Sequence, residues 1–75
     1  MPRQPDPLMV TLRRMRRAAN MTQMDLGLRI GSDGAQVSHW ERGETTPSIP
    51  KVRLLCEVLG GDLVIVPKGW LPPVE

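Results

Sequence analysis

Few side chains in this sequence can make or break bonds: its 75 residues hold one cysteine, Cys56, and one histidine, His39. A single cysteine forms no disulfide within the chain, and one thiol with one imidazole falls short of a zinc site. A second histidine, a Cys–His pair and a glycine-rich phosphate loop before a helix are all missing, so an enzyme is excluded for lack of parts, and no cofactor is expected. Side chains suited to recognition are better supplied. Ala35, Gln36, Ser38 and His39 are small or hydrogen-bonding, the types that approach base edges in a DNA major groove. Arg13, Arg14, Arg16 and Arg17 cluster while the acids are scattered, which makes either a phosphate-facing surface or an ordinary solvated helix face. The net charge of +2 does not decide between them.

Those residues need helices to hold them. Asp6 before Pro7 reads as an N-cap with proline at the first helical position, and Leu8, Leu12, Met15 and Ala19 recur at helical spacing to an end near Asn20. Thr22 with Asp25 three residues on predicts a second, short helix whose apolar positions are Met24, Leu26 and Ile30, closed by Gly31. Asp33 caps a third helix over residues 33–42, with Gln36 at its third position. Val37 and Trp40 face inward, Ala35, Ser38, His39 and Arg42 form the opposite stripe, and Gly43 ends it. Ser48 caps a fourth, whose stripe of Val52, Leu55, Cys56 and Leu59 stops at Gly60-Gly61.

The run Thr22-Gln23-Met24-Asp25-Leu26-Gly27, then Gly31-Ser32-Asp33-Gly34-Ala35-Gln36-Val37-Ser38-His39-Trp40-Glu41-Arg42-Gly43, with Pro47-Ser48 beyond, closely resembles the phage repressor and Cro-type helix-turn-helix family. The likeness covers residues 8–59 without an insertion. It implies a DNA-binding transcriptional regulator, most simply a repressor, whose second helix crosses the DNA backbone and whose third enters the major groove. It places Gly34, Ala35, Gln36, Ser38 and His39 at base-facing positions, and Thr22, Gln23, Arg42 and Thr45 at phosphate-contacting ones. It also implies a partly buried ion pair between Arg16 and Glu41, which removes Arg16 from the phosphate ligands and leaves Arg13, Arg14 and Arg17 open. Three departures stand out. Gly27 replaces the family's usual alanine, Asp33 a serine or threonine, and Gly34 a long polar residue. Direct readout then rests on Gln36, Ser38 and His39, with Ala35 against a thymine methyl.

Residues 63–66, Leu-Val-Ile-Val, are β-branched, bounded by Gly and Pro, and apolar on both faces. A solitary strand of this kind leaves backbone groups unpaired and invites a partner. The expected partner is its own copy, in an antiparallel ribbon of Leu63, Val64, Ile65 and Val66, with Leu55, Val58 and Leu59 packed beneath and Trp70 extending the contact. The ending from Leu59 to Val66 also resembles HipB-type antitoxins, so a toxin-neutralising, autoregulating antitoxin is the alternative function and a toxin its partner. The expected architecture is mainly α, four to five helices with one C-terminal strand pairing across a homodimer. Residues 1–5 form a flexible N-terminus, 6–60 the DNA-binding domain and 61–75 a dimerisation strand and proline-rich tail. With no apolar leader and no run long enough to span a bilayer, the protein is expected in the cytoplasm.

Overall fold

The computed structural model describes residues 4–70, and of Trp70 only the backbone. Four α-helices, α1 (Pro7–Ala18), α2 (Gln23–Arg29), α3 (Gly34–Glu41) and α4 (Ile49–Val58), are followed by a 3-10 turn at Lys68–Trp70. Each helix starts on a side chain that accepts a hydrogen bond from an otherwise orphaned backbone N–H. Asp6 accepts from Leu8, Thr22 from Asp25, Asp33 from Gln36 and Ser48 from Lys51. At α2 the Asp25 carboxylate also accepts from the Thr22 backbone N–H at 3.0 Å, completing a capping box.

The ends are equally uniform. In each helix the second residue past the C-cap donates its N–H back five positions: Met21 to Arg16, Ser32 to Gly27, Glu44 to His39 and Gly61 to Cys56. This closure needs a left-handed residue just before, and Asn20, Gly31, Gly43 and Gly60 supply it with φ between 57° and 79°.

The core joins all four helices through Met9, Leu12, Leu26, Ile30, Val37, Trp40, Val52, Leu55 and Cys56. Lys51 fastens α4 to the end of α2 by donating from Nζ to the Ile30 carbonyl at 2.8 Å. Among the described residues no helix is long and apolar enough to cross a membrane.

Several expectations change. Ala19 is the exposed C-cap of α1, and its place on the inner face is taken by Met9 and Arg16, because α1 must pass an arginine into the molecule. Met24 is 64% exposed, since the inner face of so short a helix is filled by Leu26 and Gly27. Leu55, expected to face a second chain, is 1% exposed and lies wholly within its own core, while Val58 and Leu59 are half-buried. Residues 61–67, expected to hold a strand over 63–66, form no regular element here, and residues 68–70 make the 3-10 turn. The contact expected of the Trp70 side chain lies outside the described residues.

The α2–α3 turn is set by close approach. A Cβ on Gly27 would lie 2.3 Å from the carbonyl carbon of Asp33, and one on Gly34 would lie 3.1 Å from the Met24 backbone. Gly27→Ala therefore opposes two effects: a helix-propensity gain of about 1 kcal/mol and an overpacking cost of about 1–3 kcal/mol. Both colliding groups are backbone, so no rotamer change relieves the clash. The expected result is a net loss of stability, read as a lowered thermal midpoint. A raised midpoint would mean that propensity governs this position.

Candidate nucleic-acid interface

Burial divides α3 into two faces. Val37, Trp40 and Glu41 point inward, whereas Ala35, Gln36 and Arg42 are exposed and Ser38 and His39 half-exposed. Ala35, Ser38, His39 and Arg42 recur at helical spacing, so they form one outward ridge. Gln36 flanks it. Gly34 opens the helix but presents only backbone, and its tight fit against Met24 makes it a packing residue.

One inward group on α3 is charged. Glu41 receives two hydrogen bonds from Arg16 of α1, Nε to Oε2 at 2.8 Å and Nη2 to Oε1 at 2.9 Å. The pair is a two-pronged guanidinium–carboxylate contact, with side-chain exposures of 9% and 4%. Arg16 also donates from Nη1 to the Met21 carbonyl at 2.8 Å, and Gln23 donates from Nε2 to Glu41 Oε1 at 3.1 Å. Arg13 stands 3.7 Å from the same oxygen. A single carboxylate thus gathers α1, the α1–α2 turn, α2 and α3. Among the described residues no buried side-chain polar atom is left unpartnered.

Burial alone would push the Glu41 carboxyl up, but hydrogen bonds from Arg16 and Gln23, with the charges of Arg16 and Arg13, outweigh it and hold the pKa below the ordinary glutamate value. The same hydrogen bond to Glu41 raises Arg16, which stays charged throughout the accessible range.

The phosphate candidates divide by what else they do. Thr22 and Thr45 are exposed. The Thr22 oxygen accepts the capping bond, which leaves its hydroxyl hydrogen for an outside acceptor. Gln23 is half-buried and spends one amide hydrogen on Glu41, keeping a second. Arg42 is exposed and paired with Glu44, Nη2 to Oε2 at 3.2 Å. Glu44 Oε2 is also hydrogen-bonded to His39 Nδ1. Glu44 was not singled out in the sequence, although its signal was there: the third residue of the last turn, His39, and the second past the cap, Glu44, meet in this helix closure.

A family model described as helix-turn-helix matches residues 12–66. No curated protein and no solved structure matches the chain.

Because the depressed Glu41 favours the folded state, its contribution is complete above the ordinary value of 4.5 and fades as pH falls toward the lower folded value. Removing one partner of such a buried pair costs on the order of 3–5 kcal/mol. Glu41→Gln is expected to be destabilised at pH 7 and to show a shallower loss of stability between pH 5 and 3 than the unmodified chain. Asp25, whose carboxyl is lowered by its Thr22 hydrogen bonds, titrates the same way in both proteins and cancels in the difference. Parallel urea midpoints across that range would remove Glu41 from the acid response.

Proposed function

The chain belongs to the helix-turn-helix family of phage-repressor type, a family of DNA-binding transcriptional regulators, and we propose that it binds a palindromic operator as a homodimer and represses from it. The observation that carries the reading is the ridge of Ala35, Ser38 and His39 with Gln36 beside it. These side chains are small or polar and stand on a helix whose other face is fixed by Trp40 and Glu41. Gln36, Ser38 and His39 read base edges, Ala35 contacts a thymine methyl, and Thr22, Gln23, Arg42 and Thr45 hold phosphates and set the docking register. The Arg42–Glu44 pair is exposed, so it is weak enough for a phosphate to displace.

Support for the dimer comes from the C-terminal segment. Leu63, Val64, Ile65 and Val66 are exposed in succession, and Ile65, at 93%, is the most exposed large hydrophobic group among the described residues. A second copy covers this surface most simply as a two-stranded ribbon about a two-fold axis. Val58 and Leu59 flank it, and a groove of about 210 Å³ between Arg53, Glu57, Gly61 and Leu63 adjoins it. The symmetry sets two copies of α3 about one helical turn apart, roughly 34 Å.

Two outcomes are expected. Selection from random duplex DNA yields an inverted repeat with that spacing, and Ile65→Pro, which touches no core residue, yields a folded monomer by sedimentation with lowered operator affinity. A variant that stayed dimeric would assign the interface elsewhere. The contacts are separated by salt: Arg42→Ala flattens the plot of log affinity against log salt by about one unit on every sequence. Replacing Ser38 and His39 by alanine chiefly narrows the gap between operator and random DNA. Equal losses on both DNAs would argue against base reading by those two side chains.

A further inference from the structure

The last turn of α3 joins His39 and Arg42 to Glu44, a residue to which the general reading gives no part in reading bases. Backbone geometry builds it: with Gly43 left-handed at φ 76°, the Glu44 N–H returns to the His39 carbonyl at 3.0 Å, bringing the Glu44 side chain back beside the imidazole. Glu44 Oε2 is hydrogen-bonded to His39 Nδ1 and lies 3.2 Å from Arg42 Nη2. Arg42 Nη2 in turn stands 3.4 Å from Nδ1. Nδ1 cannot both donate to the carboxylate and accept from the guanidinium, because it carries either a hydrogen or a lone pair. A carboxylate has no hydrogen to give, and the arginine contact is the longer one. The hydrogen is therefore on Nδ1, directed at Glu44.

We propose that Glu44 is a positioning residue for sequence readout: it holds the neutral His39 ring in the Nδ1–H tautomer, so that Nε2, on the ring's other side, meets DNA as an acceptor. The inference rests on α3 being the recognition helix. In the major groove, adenine N6 and cytosine N4 carry hydrogen, whereas guanine O6 and N7 and thymine O4 offer only lone pairs. An acceptor at Nε2 thus favours adenine or cytosine at one position of each half-site, by roughly five- to tenfold for one well-formed hydrogen bond. The ring and the carboxylate are each a little over two-fifths exposed, open enough for a base edge to reach.

Two variants leave the backbone closure intact, since it uses only main-chain groups. Glu44→Ala releases Nδ1, and Glu44→Lys places a donor against it, inverting the tautomer. The test combines nitrogen-15 spectroscopy of His39 in DNA-free protein, at the alkaline plateau of its own titration, with base preferences from randomised duplex DNA. Expected are the Nδ1–H tautomer in the unmodified chain, a shift toward Nε2–H in both variants, and loss of the adenine or cytosine preference at one position in Glu44→Ala and His39→Ala. Glu44→Lys moves that preference toward guanine or thymine, and the other positions hold. An Nε2–H ring in the unmodified chain, or an unchanged preference in Glu44→Ala, overturns the role of Glu44 while leaving DNA binding in place. Failure of the unmodified chain to bind any duplex overturns the recognition-helix reading, and this inference with it, whatever the spectra show.

Discussion

The Arg16–Glu41 contact is the constraint around which the small domain is arranged. A carboxylate at 4% side-chain exposure is costly to desolvate, and its cost is offset only by several well-placed donors. Arg16 gives two, and Gln23 a third. Arg16 can do so only if α1 runs beside the end of α3, and Gln23 only if α2 begins there. One satisfied charge therefore fixes three helix positions that apolar packing alone would leave free to slide. A hydrophobic core accepts many arrangements of similar volume, whereas a two-pronged guanidinium–carboxylate pair accepts one.

A second constraint works through what is missing. Between α2 and α3 the backbone of Gly27 meets Asp33, and Gly34 meets Met24, at distances that exclude or strain a Cβ. Asp33 has a separate duty there, capping α3 through Gln36. Its carboxylate gives the helix a firm start by accepting an otherwise orphaned backbone N–H. Small residues at the turn let the two helices approach, and the approach sets how far α3 stands from the rest of the molecule.

How much of this was legible in the sequence follows from the range of each interaction. Caps and closures are local, and Asp6, Thr22, Asp33, Ser48, Gly31, Gly43 and Gly60 could be read directly because each acts within six residues of itself. The inner faces were harder. Met9 and Met24 are the same residue type at plausible helical positions, and only tertiary packing buries one and exposes the other. Arg16 and Glu41, 25 residues apart, were legible through family likeness and not through periodicity, which would place an arginine outside. Glu44 was missed because its partner lies across a helix end, where reading face by face does not look. Leu55 was misread because its stripe serves the chain's own core before any partner. Residues 63–66 are a different case: a strand exists only with something to pair with, and the described residues of one chain offer no such edge.

The two faces of α3 make different demands, and the sequence meets them with different chemistry. Inside, Val37 and Trp40 give bulk and Glu41 gives register, all tolerant of nothing that changes their shape. Outside, Ala35 and Ser38 are small, and the longer polar groups stand at the helix's margin and end. Gly34 supplies none, having been committed to packing. The longer groups gather toward the last turn, where His39, Arg42 and Glu44 stand together. That turn is also where Glu41 is clamped by Arg16. The part of α3 that carries the most exposed polar chemistry is thus also the part that the Arg16–Glu41 clamp ties to α1.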